Sequence, residues 1–477
     1  MTLQPSALAP SPQQADFKRQ VRWLETLITD PAGTRYLQAE NSEARRQELQ
    51  AQLARTADFL DFAGNPQAQY PSVHVAGTSG KGSVVTLIAA LLTHCRLHTG
   101  SHVSPYLQVS NEKLQIDGQL IGLAEFIALV ERFRQQHAAW AAAGRPFTTL
   151  RYSEAWTALA FSWFAQRKVD WAVVETGVGG RFDPTNTLPA CLAVITNVDF
   201  DHTEVLGQTL PEIAEHKAGI IKSRQAALTA ATDQSVLRVI REEAARQKAQ
   251  LYCLGPDFDF EVQQLDHTGA RLSIRTPFRR YTDLRLSLSG AFQPVNAALA
   301  VAAADVLRER YDVPLTPETI QAAFASVKFP GRLEIVQAKP LVILDGAHNP
   351  HKLQALADSL RILYPNKRIT AIIGMLMTKD AHAGMQILLP ALSRVVTVQP
   401  HVPGKPALAA SALADVIREM RPALPCEAVG SVREGIDLIL PQLDADDLLL
   451  ITGSLYMLGE ARDYWIPTAQ ILKDLES

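Results

Sequence analysis

The chain has 477 residues, 47% hydrophobic and 20% charged: globular composition, and too much chain for one ordinary core. Its 46 basic and 49 acidic residues leave a net charge of -3. No overall basic field is present to attract nucleic acid or an anionic membrane, so any anionic substrate must be held by local groups.

Residues 1–15 read as a flexible tail, because no basic start is followed by an apolar block as in a secretory signal. No apolar run reaches the ~18–20 residues that a membrane span needs. Four scattered cysteines, Cys95, Cys191, Cys253 and Cys426, include no Cys-x-x-Cys pair. They argue against a disulfide scaffold or a structural zinc site and fit a reducing compartment, so the cytoplasm is the expected location.

Residues 16–62 read as mostly helical. PSVHVAG at 71–77 is a short β-rich run, and after a glycine-rich turn SVVTLIAALLTHC is apolar on nearly every face, which predicts a buried helix. Further apolar runs at Trp171–Val174 and Cys191–Ile195, separated by helical stretches, predict a parallel sheet covered on both sides. Residues 255–288 alternate and predict a small antiparallel patch, closed by a helix over Gln293–Arg308. KFPGRLE at 328–334 contains Pro330-Gly331 and reads as a linker at 328–333. Beyond it, strands at 341–344, 368–374, 394–399 and 447–452 alternate with helices at 350–364, 382–392, 407–420 and 431–442. The expected architecture is α/β: a P-loop-type doubly wound domain over 16–327 and a smaller Rossmann-like domain over 334–477.

The strongest local signal is His74-Val75-Ala76-Gly77-Thr78-Ser79-Gly80-Lys81-Gly82-Ser83. A strand enters, small residues follow and a helix leaves. Backbone N–H groups can then surround phosphate oxygens at the positive end of the helix, and Lys81 can reach the outer phosphates. Ser83 or Thr78 could approach a magnesium ion. A plain glycine turn is the alternative reading. Glu175 ends the apolar strand DWAVV at its carboxyl end, where open α/β sheets place ligands; it is either a magnesium carboxylate or a solvated loop acid. Lys217 lies four residues after Ile213 and four before Ile221, on the apolar stripe of a helix read over 210–221, and so points inward. It is either a snorkelling lysine or a desolvated amine of lowered pKa, able to react with carbon dioxide.

GTSGKGS resembles the nucleotide loop of the Mur ligase superfamily, which includes the folylpolyglutamate synthases and dihydrofolate synthases. The resemblance runs from about residue 60 to residue 462. HVSPYLQVSNEKLQIDG, ETGVGGRFDPTN (175–186), ITNVDFDHTEVLGQTLPEIAEHKAGIIK (195–222), FPGRLE (329–334), LDGAHNP (344–350) and TGSLYMLGEAR (452–462) follow in the family's order. Ser79 stands where asparagine is common, Lys113 where arginine is usual, and Phe292 where histidine or tyrosine is usual.

The resemblance implies Mur ligase architecture and ATP-dependent ligation of L-glutamate to a folate, to dihydropteroate, or to both, through an acyl phosphate. It assigns Gly77, Thr78, Ser79, Gly80, Lys81, Gly82, Ser83, Asn296, Arg332, Asp345 and His348 to ATP, with Asn296 near the adenine. It implies two magnesium sites drawing on Ser104, Glu175, His202 and Lys217, the lysine as a carbamate. Lys81, Lys217 and His202 are the catalytic set, and Lys379 is a candidate for facing the incoming glutamate. The family also implies a monomer without nucleic-acid or membrane partners. Two other readings stand: a Mur-type ligase acting on a cell-wall precursor, and an inactive ATP-binding regulatory protein.

Overall fold

The computed structural model describes residues 11–30, 42–402 and 404–476. Its largest sheet holds eight strands: β1 (Ser72–Ala76), β2 (Thr99–His102), β3 (Gln115–Ile116), β4 (Gln119–Leu120), β5 (Trp171–Glu175), β6 (Leu192–Ile195), β7 (Ala226–Thr229) and β8 (Gln250–Cys253). They run in the order β4-β3-β2-β5-β1-β6-β7-β8, parallel from β2 to β8 with an antiparallel hairpin at one edge. All residues of β1 and β5 are buried, the mark of a sheet covered on both faces. β5 and β6 flank β1, so the chain changes direction across the sheet at the glycine loop that follows β1, where such folds bind ligands.

Helix Lys81–His94 packs on one face of this sheet with Val84, Val85, Leu87, Ile88, Leu91 and Leu92 fully buried. Each such burial stabilises by roughly 1.5–3 kcal/mol, an upper bound because unfolded chains already hide some apolar area. Leu123–Ala141 and Tyr152–Gln166 cover the opposite face. Strands β9 (Asp259–Asp266), β10 (Gly269–Arg275) and β11 (Arg280–Leu286) form the antiparallel patch read from the alternation at 255–288. It packs on helix Gln293–Tyr311.

After residues 327–333, which lack regular structure, a six-stranded sheet begins. Its strands are β12 (Glu334–Ala338), β13 (Leu341–Leu344), β14 (Ile369–Ile373), β15 (Arg394–Thr397), β16 (Cys426–Ala428) and β17 (Leu448–Thr452), in the order β12-β13-β17-β14-β15-β16. The pairs from β13 to β16 are parallel; β12 is an antiparallel edge strand, absent from the sequence reading because it is half-exposed and follows no apolar run.

Two boundaries differ from expectation. Helix Pro12–Glu25 starts inside the segment read as tail: Ser11 caps it by accepting from Gln14 N, with Pro12 in the first turn. Residues 1–10 lie outside the described residues. The helix carrying Lys217 spans Leu210–Ala218 and stops before Ile220 and Ile221, which stay buried. Among the described residues no helix is long and apolar enough to cross a membrane.

Candidate active site

The carboxyl edges of the two parallel sheets face a shared cavity of ≈ 960 Å³. Every residue assigned above to ATP, metal or catalysis lines it.

On the side of the large sheet, the glycine loop is fixed by close contacts. A methyl group at Gly77 would fall 1.8 Å from Thr196 Oγ1, and that hydroxyl donates to Ser79 O at 2.6 Å. Gly80 has φ +82° and would meet Asn296 Oδ1 at 2.5 Å, so both positions exclude a side chain. Asn197 Oδ1 accepts from Ser79 N at 2.8 Å. The Thr78 hydroxyl is engaged with both backbone groups of Asp199 at 3.0 Å and so ties down the neighbouring loop. Ser83 Oγ accepts from Gln293 Nε2 at 3.4 Å, and Gln293 is held by Asn296 at 3.0 Å. Lys81 Nζ donates to Gly77 O at 3.2 Å and stands 3.8 Å from Glu175 Oε1.

Glu175 is buried at the end of β5 and accepts from Ser104 N at 3.1 Å. Burial raises its pKa against the opposing pull of Lys81. His202 follows β6 in a left-handed conformation, φ 52°, and caps the short helix Thr203–Leu206. Lys217 is 3% exposed, and burial, reinforced by Lys81, holds its pKa well below the usual lysine range. Among the described residues its Nζ forms no hydrogen bond or ion pair. The side chain is thus buried and does not snorkel to solvent. Its helix is anchored by the Thr209–Glu212 capping box and pressed against Gly180, where a methyl group would lie 2.7 Å from His216 O.

From the smaller sheet, Arg332 is half-buried and lies over the Phe329 ring, 5.3 Å from its centroid. Asp345 follows β13 and accepts from Leu333 N at 3.0 Å and Ala347 N at 2.9 Å. His348 Nδ1 donates to Gly346 O at 2.8 Å, which leaves Nε2 to accept from Lys352 Nζ at 3.1 Å. Burial, then Lys352, keep this ring neutral; burial pushes Lys352 itself down to about 7.

Sequence reasoning missed the groups that join the two sides. Asp201 pairs with Lys379 at 2.6 Å and Lys352 at 3.8 Å and accepts from Asn349 at 3.0 Å. Burial works against its charge, yet His202, Lys352 and Lys379 hold its carboxyl far below the usual range. His351 meets Ser79 Oγ at 3.2 Å and Asn197 Nδ2 at 3.3 Å. The available signal was the placement of Asn349, His351 and Lys352 at the start of a helix after a strand end.

Among the described residues no three His, Cys, Asp or Glu side chains cluster as a metal site. Glu175, His202 and Ser104 line the cavity as a sparse set of oxygen and nitrogen donors. Magnesium commonly takes one or two carboxylates and completes its shell with substrate phosphates and water. The residues present therefore fit magnesium shared with a nucleotide.

Residues 75–304 match the Mur ligase middle domain family, and residues 331–455 match the Mur ligase glutamate ligase domain family. The chain is 34% identical over 423 residues to the folylpolyglutamate synthase of Lacticaseibacillus casei, covering 86% of this chain and 95% of the relative. It is 37% identical over 330 residues to the dihydrofolate synthase/folylpolyglutamate synthase of Bacillus subtilis, covering 69% and 76%. The solved structure of Mycobacterium tuberculosis folylpolyglutamate synthase complexed with ADP superposes with a TM-score of 0.85 at 30% identity, over 95% of this chain and 99% of that one.

Proposed function

The chain belongs to the folylpolyglutamate synthase and dihydrofolate synthase family of Mur ligases, and from that premise we propose that it joins L-glutamate to a folate or dihydropteroate carboxylate at the expense of ATP. The observation that carries this reading is the convergence of the glycine loop, Glu175, His202, Lys217, Arg332 and His348 on one cavity between two carboxyl sheet edges.

The acceptor carboxylate oxygen bonds to the γ-phosphorus of ATP as the bond to the β–γ bridging oxygen breaks, and ADP leaves. The glutamate nitrogen, as the free amine, then bonds to the acyl carbon, phosphate leaves with the bridging oxygen, and the nitrogen gives up one proton and keeps the other as the amide N–H. Both steps concentrate negative charge. Lys81 from one side and Arg332 from the other are placed to compensate it in a buried setting, where such compensation is strongest. The loop N–H groups cradle the phosphates, Asn296 backs the loop, and Asp345 and His348 close on the nucleotide from the far side. Ser104, Glu175, His202 and Lys217 as its carbamate would hold magnesium at two sites. When bound, that metal supplies further charge compensation at the phosphoryl oxygens. A cationic Lys217 would repel it, which is why the amine must be converted.

Two lobes, 16–327 and 334–477, contribute to this site, and their closure keeps water from the acyl phosphate. The assembly is proposed to act as a monomer in the cytoplasm; its four free cysteines suit a reducing compartment. The test is ADP release by the purified chain with glutamate and, in separate reactions, dihydropteroate, tetrahydrofolate and a cell-wall precursor. ADP formation that requires a pterin acceptor and glutamate is expected. Turnover with the wall precursor alone, or with none, contradicts the reading.

A further inference from the structure

The reaction above leaves one cation of the cavity without a role. Lys352 stands in the first turn of helix Pro350–Leu363, where the capping Asn349 side chain accepts from Lys352 N at 2.9 Å. Its neighbour His351 meets Ser79 Oγ at 3.2 Å, which seats this turn against the phosphate loop. The Lys352 side chain is 23% exposed and lines the cavity. Its Nζ donates to His348 Nε2 at 3.1 Å and stands 3.8 Å from Asp201 Oδ2.

The surroundings of this ammonium are short of negative charge. Asp201 is shared: Lys379 holds it more closely, at 2.6 Å, and it also accepts from Asn349 at 3.0 Å. Burial weighs most against the Lys352 charge; Asp201 favours it, while Lys81, Arg332 and Lys379 all add to the opposition. Cations gathered from the phosphate loop, residues 327–333 and the smaller lobe make a setting that a multiply charged anion stabilises. An ammonium has three donors, so Lys352 can keep His348 and still donate to such an anion.

Position indicates which part of which anion. Beside the burial that dominates each, Lys81 and Lys352 act together on Glu175 and on Lys217. Lys352 is therefore near the groups set around phosphoryl transfer. A terminal phosphate gathers three acceptor oxygens in one small group, which cations from two sides can share. ADP lacks that group.

We propose that Lys352 binds the terminal phosphate of ATP from the smaller lobe, while Lys81 reaches it from the larger, and so lets the closed site distinguish ATP from ADP. This rests on the ATP-dependent ligase reading above. Once that phosphate has been transferred and released, the contact is gone and the smaller lobe holds the remaining ADP less tightly.

The test is equilibrium binding of ADP and of a non-hydrolysable ATP analogue, each with magnesium, to the full chain, Lys352→Met and Lys352→Arg, together with KM for ATP and for glutamate. Lys352→Met should weaken the ATP analogue about tenfold more than ADP, the size of one charge-assisted hydrogen bond. It should raise KM for ATP by a similar factor and leave KM for glutamate unchanged, and Lys352→Arg should keep the preference for the triphosphate. Equal weakening of both nucleotides, unchanged binding of both, or a raised KM for glutamate with an unchanged KM for ATP overturns the proposal. Should Lys352→Met fail to fold, Lys352→Gln, which keeps a polar group toward His348 and Asp201, is read in the same way. A wild type that binds both nucleotides and forms no amide with either acceptor overturns the ligase reading itself, a failure visible before any variant is made.

Discussion

Asp201 and Lys379 form an ion pair of 2.6 Å that joins the loop after β6 to the loop after β14. Both side chains are nearly buried, at 8% and 11% exposure, and Asp201 also receives Lys352 and Asn349. Asp201 adjoins His202 in sequence, so one of the contacts that join the two halves is next to the proposed metal ligand.

Lys379→Ala should therefore impair assembly of the site more than the stability of either lobe. Breaking one partner of a buried pair commonly costs about 3–5 kcal/mol, part of which appears here as a less populated closed state. The expected outcome is a kcat/KM for ATP reduced at least tenfold, with circular dichroism and the unfolding midpoint of each lobe little changed. Wild-type kcat/KM would show that the pair does not govern closure.

Lys81→Ala addresses the phosphate loop. Removal of one preorganised charge-stabilising group costs on the order of 3 kcal/mol in the transition state, about a hundredfold in rate. The variant should fold, since Lys81 bonds only to the Gly77 carbonyl and approaches Glu175. Near-normal turnover with an intact spectrum would reject the assignment.

Gly180→Ala tests how the Lys217 helix is seated. The added methyl would meet His216 O at 2.7 Å and Lys217 Cα at 3.3 Å, both backbone atoms that cannot rotate away. Overpacking of this kind costs roughly 1–3 kcal/mol, so a lowered unfolding midpoint is expected together with lowered turnover. A variant as stable and active as wild type would mean that the helix shifts freely.

Much of this was legible because burial on both faces leaves a continuous apolar strand. Trp171–Val174, Cys191–Ile195 and the runs at 341–344 and 447–452 all correspond to strands. Lys217 was legible because a lysine on an apolar stripe breaks the pattern. β12 was not, since its exposure is mixed, and neither was β7, whose Ala226–Thr229 resembles helix filler. The Ser79–His351 contact joins residues 272 apart, and the Asp201 cluster draws on three separate segments. No local spacing encodes such pairings; they follow from which sheet edges meet.

Lys217→Ala should abolish ligation, and Lys217→Arg should not restore it, because arginine cannot become a carbamate. A short carboxylic acid added to the alanine variant should recover part of the turnover by supplying oxygens. Wild-type rates from Lys217→Arg would make Lys217 a structural lysine only.

In the proposed reaction ATP activates the acceptor carboxylate as an acyl phosphate before the glutamate amine attacks. The most direct measurement of this step uses an acceptor labelled with oxygen-18 in the reacting carboxylate, followed by mass analysis of the released phosphate. One labelled oxygen should pass from acceptor to phosphate for each amide formed, while ADP remains unlabelled. Amide formation with unlabelled phosphate, or with the label in AMP, would contradict it.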